Sequence, residues 1–183
     1  MTSWYNFSLI LGGAAGALIG LQFVVLTLIA QSPSVRMAEA GAAFASPTIV
    51  HFSMALFLAA LLGAPWESTD QPAVLWGVAG MSGAIYSIIV VRRMKRQSLY
   101  KPVLYDWTFH VIVPSVAYLL LVATAILSRP YPMFAEYTVA GSGLALLFIG
   151  IHNAWDSVSY HVFVSRPLGA TADRSRRPPQ TKR

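Results

Sequence analysis

The chain has 183 residues, of which 56% are hydrophobic and only 11% are charged. Soluble domains carry about 25% charged residues, so this composition excludes an ordinary soluble domain and predicts a helical membrane protein. The absence of cysteine excludes disulfides, thiolate metal sites and cysteine nucleophiles.

Five apolar segments follow one another along the chain, each of about the length of a membrane helix. The first lacks a basic start and a small-residue cleavage site, which favours a membrane helix over a cleaved signal peptide. Ser46 and Pro47 predict the start of the second helix, as its N-cap and its first helical residue. We therefore predict an all-α fold, a single bundle of five transmembrane helices within residues 1–165. The predicted helices cover about 8–30, 46–66, 73–91, 104–127 and 137–164.

The distribution of charge predicts the orientation in the membrane. With the cluster Arg92–Arg96 in the cytoplasm, twelve of the thirteen Lys and Arg residues lie on that side and only Arg129 lies outside. The N-terminus is then outside and the C-terminus inside. Residues 166–183 are too polar to form a core and are predicted to be a disordered basic cytoplasmic tail. Nucleic-acid binding is not expected, because no folded basic domain accompanies this charge.

Three glycines in the first helix, Gly12, Gly16 and Gly20, recur every four residues and so share one helix face. A face without side chains lets another backbone approach closely. Two interpretations stay open: packing within the bundle, and contact with a membrane-protein partner or a second copy of the chain through helix one.

The polar residues of the predicted helices concentrate toward the cytoplasmic side. At about 1.5 Å per residue, all of them lie within roughly 18 Å of that interface, whereas the outer half holds almost nothing polar beyond Ser and Thr. The candidate ligands are His51, Asp106, His110, His152 and Asp156, with Gln22, Tyr86 and Asn153 as supporting polar residues.

Two of these pairs, Asp106 with His110 and His152 with Asp156, are four residues apart. Each pair shares a helix face, so each carboxylate is expected to accept a hydrogen bond from its own histidine. Pro114 cannot donate to the His110 carbonyl, which is therefore left open to another partner. His161 lies about half a helix turn round from His152 and is not expected to join that face.

These residues predict a polar pocket that opens to the cytoplasm, because ionisable groups inside a membrane are costly and usually functional. Its ligand would be a metal such as Zn, Fe or Mn, a haem held by two histidines, or a proton. The alternative is ordinary hydrogen bonding between helices, with His51 near a solvated helix start. No dense ligand motif occurs, and no catalytic residue is assigned. A channel or carrier would need polar groups across the full depth, which disfavours a pore.

Three segments, Gly20–Val24, Pro47–Phe52 and Gly150–Asp156, carry a resemblance to a known family. With them the chain resembles small, uncharacterised bacterial membrane proteins of five helices. The resemblance implies a multi-pass protein of the bacterial inner membrane in contact with lipid. It implies no activity.

Two hypotheses about function follow. The first is a non-enzymatic accessory or interaction protein that binds partners in the bilayer. The alternative is a cytoplasm-facing His/Asp site for a metal, a haem or a proton, with redox chemistry as one use of that site.

Overall fold

The computed structural model describes residues 4–30, 37–68, 70–96 and 103–160, with side chains described except at 28–30, 37–46 and 160. This part of the chain is all-α and forms five helices. They are α1 (Tyr5–Ala30), α2 (Met37–Gly63), α3 (Asp70–Arg96), α4 (Leu104–Leu127) and α5 (Pro132–Tyr160). Four of them, α1, α3, α4 and α5, are long and apolar enough to cross a bilayer, and Pro47–Gly63 of α2 is a shorter apolar helix. The protein is therefore a multi-pass helical membrane protein.

The start of α2 differs from the prediction. The helix begins at Met37, so Pro47 lies inside it, and the prediction that Ser46 caps its start is wrong. The segment 37–45 is rich in alanine, the best helix former, and extends the helix upstream of the proline. Likewise α5 begins at Pro132 rather than near residue 137, since proline suits the first helical position. His161 and the predicted tail 166–183 lie outside the described residues.

The helices pack in the order α1, α2, α5, α4, α3, so α2 and α5 occupy the centre. Gly12 of α1 faces Ala59 of α2, and Gly150 of α5 faces Phe52 of α2. Neighbouring helices run in opposite directions, which brings the ends of α1, α3 and α5 to the same end of the bundle as the starts of α2 and α4. We call this the basic end, because α3 carries its basic cluster there. The other is the opposite end.

Glycines permit close approach at other positions than the sequence suggested. Gly12 contacts Ala59, whereas none of the described residues places a heavy atom within 4 Å of where a side chain would begin at Gly16 or Gly20. Packing of these two glycines against another helix therefore stays a prediction. The close contacts lie instead in α3 and α5, whose backbones approach the neighbouring helices at Gly80, Gly83 and Gly150.

Two apolar clusters form the core. The larger is centred on Trp76, Tyr118 and Leu121, all with no exposed surface, and also includes Leu58 and Leu146. The smaller joins α1 to α2 and α5 through residues that include Leu11, Phe52, Ala55 and Leu147. Large apolar side chains cover the outside of the bundle, as expected for a surface in contact with lipid.

Candidate functional site

A hydrogen bond between His51 of α2 and Tyr118 of α4 lies in the interior of the bundle. The Nδ1 atom of His51 is 2.9 Å from the hydroxyl oxygen of Tyr118, and the two rings are 5.9 Å apart. The side chains are 1% and 0% exposed. Two helices are thus connected by two titratable rings, at a depth where an unpaired polar group is costly.

The position of Tyr118 depends on α3. A side-chain carbon at Gly83 would overlap the Tyr118 ring, and one at Gly80 would lie 2.7 Å from the Tyr118 carbonyl oxygen. The two glycines therefore form a groove in which the tyrosine lies. Tyr118 was missed by the sequence analysis, because a tyrosine within an apolar run is normally a core residue; the only signal was the repeated glycine on α3.

His51 lies deeper than the sequence suggested. Since α2 begins at Met37, fourteen residues before His51, the histidine is near the middle of its helix and is buried. The alternative that it sits at a solvated helix start is therefore wrong. His51 is far from the helix start because the alanine-rich segment before Pro47 extends α2 toward the N-terminus.

Asp106 and His110 each form a hydrogen bond with a backbone group. The Nδ1 atom of His110 lies 3.1 Å from the backbone carbonyl oxygen of Asp106, while the Asp106 carboxylate accepts a hydrogen bond of 3.0 Å from the N–H of Val103. The N–H groups at a helix start lack partners within the helix, and a carboxylate three residues in satisfies one of them. Because a carbonyl oxygen only accepts, Nδ1 of His110 carries the hydrogen.

The backbone around His110 forms a turn of π-helix over Thr108–Ile112, in which the N–H of Val113 donates to the Thr108 carbonyl five residues back. Pro114 follows directly, and its ring would clash with the carbonyl four residues earlier in a regular α-helix. The wider turn avoids that clash. Turns of this kind inside α-helices occur frequently at functional sites.

His152 lies among aromatic rings of α4. It stacks on Phe109 at 3.9 Å with an angle of 29° between the planes, and the Tyr105 ring meets it at 5.3 Å. Its Nε2 atom is 3.2 Å from an Asp156 carboxylate oxygen, so this predicted pair is in contact, although the atoms are not aligned for a hydrogen bond. Both side chains are partly exposed, at 24% and 38%.

The three histidines are close enough to interact electrostatically. His110 interacts in this way with Asp106, Asp156 and His152, and also with His51. The structure thus brings the five candidate ligands into one region, with the carboxylate of Asp106 at the start of α4.

The metal hypothesis needs at least three suitable ligands at one point. Within the described ranges, no three His, Asp or Glu side chains are arranged to hold a metal ion. The haem hypothesis, which needs two axial histidines, stays a prediction.

Six of the described residues carry buried polar side-chain atoms without a hydrogen-bond partner among the described residues. They are the Nε2 atoms of His51 and His152, the indole nitrogen of Trp76, the hydroxyls of Tyr86 and Ser142, and both ends of the Asn153 carboxamide. Asn153 has no exposed surface, and Gln22 of α1 is also buried. Tyr86 interacts electrostatically with Tyr118, which extends the polar region to α3.

No protein-family model, curated protein or solved structure matches this chain. The resemblance to small bacterial membrane proteins therefore stays a prediction. Any function has to be argued from the arrangement of the side chains themselves.

Proposed function

We propose that this chain is a non-enzymatic membrane protein that binds a proton at His51, in the interior of a bundle that spans the bacterial inner membrane five times. The observation that carries the proposal is the buried hydrogen bond between His51 and Tyr118, with the second ring nitrogen of His51 unpaired among the described residues. Imidazole is the side chain that ordinarily gains and loses a proton near neutral pH.

A series of titratable side chains leads from the basic end toward His51. Asp156 and His152 are partly exposed, and His110 is close enough to interact electrostatically with both of them and with His51. Tyr118 of α4 bonds to His51, and Tyr86 of α3 interacts electrostatically with Tyr118. The series begins at the surface and ends in the core, which suits uptake from one side better than passage through the bundle.

Proton binding would change how α2 and α4 are held together. A neutral His51 can accept a hydrogen bond from Tyr118 at Nδ1, whereas a protonated one can only donate there. A change of this kind would be transmitted to the helix surfaces that face lipid, where an accessory protein would meet its partners. The proposed role is therefore that of an interaction protein that responds to protonation.

Nuclear magnetic resonance of the four histidines tests the proposal. The full chain, labelled with ¹⁵N at histidine and reconstituted in lipid bilayers, would be titrated from about pH 2 to pH 8, a range wide enough for both exposed and buried imidazoles. His51→Gln identifies the His51 signals, and Tyr118→Phe should shift their titration. His161→Gln is the matched control and should leave that titration unchanged. If His51 stays in one protonation state throughout, or if Tyr118→Phe has no effect, the proposal is wrong.

The orientation, with the N-terminus outside and the C-terminus inside, is supported by the basic cluster Arg92, Arg93, Lys95 and Arg96 at the end of α3. The natural chain has no cysteine, so single-cysteine variants report accessibility directly. In intact cells, an impermeant thiol reagent should label Glu67→Cys but not Arg93→Cys. The reverse pattern would contradict the proposed orientation.

A further inference from the structure

Asn153 of α5 is a second buried polar element that proton binding at His51 does not use. Asn153 has no exposed surface, and neither the oxygen nor the nitrogen of its carboxamide has a hydrogen-bond partner among the described residues. Burying an amide without partners costs about 1–3 kcal/mol in proteins. A buried carboxamide in this state therefore indicates a bound partner.

The packing register directs Asn153 toward His51. Leu146 and Leu58 belong to the same core cluster as Tyr118. Asn153 lies seven residues after Leu146 on α5, and His51 lies seven residues before Leu58 on α2. A spacing of seven residues is about two turns of helix and returns to the same face.

The opposite directions of α2 and α5 bring these two positions to the same level. Gly143 faces Leu58, and Gly150 faces Phe52, so α2 residue numbers fall as α5 residue numbers rise toward the basic end. Each helix therefore continues its apolar stripe with one polar residue. From this register we expect Asn153 to lie on the side of α5 that faces His51, where His51 bonds to Tyr118.

We propose that Asn153 and His51 together bind one small neutral molecule that both donates and accepts hydrogen bonds, and that this molecule is water. When the Tyr118 hydroxyl donates to Nδ1 of His51, the Nε2 atom carries the hydrogen and needs an acceptor. A water oxygen accepts that bond, and a water hydrogen donates to the carboxamide oxygen of Asn153. Buried waters typically make about three hydrogen bonds to such otherwise unpaired groups.

This inference rests on the proposed function for the identity of the central group, His51, and it adds the ligand that holds this group in one tautomer. Asn153 is then a positioning residue, since it acts on His51 through the bound water. Without the water, the hydrogen on Nε2 has no acceptor and the tautomer is less strongly selected.

The test is the transfer of magnetisation from water protons to nitrogen in the full chain, labelled with ¹⁵N at histidine and asparagine and reconstituted in lipid bilayers. In the natural protein, transfer should reach Nε2 of His51 and the side-chain nitrogen of Asn153. In Asn153→Leu, which keeps the volume and removes the polar atoms, transfer to Nε2 of His51 should be lost. Asn153→Ser, which keeps a donor and an acceptor, should retain part of it.

Two further results separate this inference from the proposed function. Ser142→Ala, which removes another buried and unpaired hydroxyl on α5, is the matched control and should leave the transfer to His51 unchanged. If the natural protein shows no transfer to His51, the water site is wrong even when His51 titrates. If transfer occurs but His51 does not titrate, the water site is supported and the proton-binding function is wrong. Since the natural protein is measured first, a variant that fails to fold leaves the inference falsifiable.

Discussion

Histidine side chains distinguish the half of the bundle at the basic end from the half at the opposite end. Hydroxyls donate to carbonyls of their own helix in both halves, as Thr124 and Ser128 do toward the opposite end and Ser157 does toward the basic end, at 2.7, 3.2 and 3.0 Å. From the middle of the bundle to the basic end, His51 also bonds to Tyr118 on another helix, and His152 packs against rings of α4. A hydroxyl that donates to a carbonyl of its own helix says little about function, since the bond only gives that hydroxyl a partner. Polar rings bonded between helices make packing and protonation depend on each other.

A second difference concerns the rim of each end. At the opposite end, the indole N–H of Trp4 donates to the Glu136 carboxylate at 2.7 Å, and Arg129 pairs with Asp70 at 3.3 Å. These contacts join helix ends at the surface. At the basic end, the titratable groups extend from the partly exposed Asp156 inward to His51. The comparison locates the functional hypothesis in one half of the molecule, and substitutions in each half test it.

The largest effect is expected from Gly83→Ala. The added methyl group would overlap the Tyr118 ring, and overpacking of this kind costs about 1–3 kcal/mol of unfolding free energy. It would also move the hydroxyl away from His51. Gly16→Ala is the matched control, since none of the described residues lies within 4 Å of its added carbon. Reversible unfolding in mixed detergent micelles measures the unfolding free energy of each variant. Equal unfolding free energies of Gly83→Ala and Gly16→Ala would contradict the packing described for Tyr118.

The next effect is expected from Tyr118→Phe, which removes the partner of a buried histidine nitrogen. Leaving such a group unpaired costs about 1–3 kcal/mol, less any relief from relaxation. Tyr137→Phe, at an exposed tyrosine near the opposite end, should change the unfolding free energy by less than about 0.5 kcal/mol. If both variants behave alike in the same unfolding assay, the bond between His51 and Tyr118 does not stabilise the bundle.

A smaller effect is expected from Gly150→Ala, where the added carbon would lie 2.5 Å from the Phe52 ring. The ring can rotate, so we expect a loss of about 1 kcal/mol, at the low end of overpacking costs. Gly141→Ala on the same helix has open space around it and serves as the control. A stabilised Gly150→Ala protein in thermal unfolding would show that α2 and α5 are less tightly packed there than described.

The smallest effect is expected from Asp156→Asn. The pair with His152 is partly exposed, and such pairs contribute about 0–1 kcal/mol. Arg129→Gln at the opposite end removes an even more exposed pair and should have no measurable effect. The informative measurement for Asp156→Asn is the histidine titration, because the carboxylate lies on the proposed route to His51. An unchanged titration of His152 would remove Asp156 from that route.

Much of the fold and part of the site could be predicted from the sequence. Hydropathy and segment length predicted a multi-pass helical protein, because insertion into a bilayer depends on the local apolar character of each segment. Helical spacing predicted that His152 and Asp156 meet, since residues four apart share a face. The same rule did not predict that the Asp106 carboxylate accepts a hydrogen bond from the backbone at the helix start. Spacing alone does not say which of two nearby partners a side chain will take.

The tertiary structure alone decided the rest. It placed His51 in the middle of α2 rather than at a helix start. It also showed that the hydrogen-bond partner of His51 is Tyr118, which lies 67 residues later in the chain on another helix. It also showed close approach between helices at Gly80 and Gly83, in addition to the contact of Gly12 with Ala59. These features depend on which helix faces meet, and that is set by packing between distant segments. Local composition determined that the chain enters a membrane, while the contacts between helices decided which of its polar residues share a site.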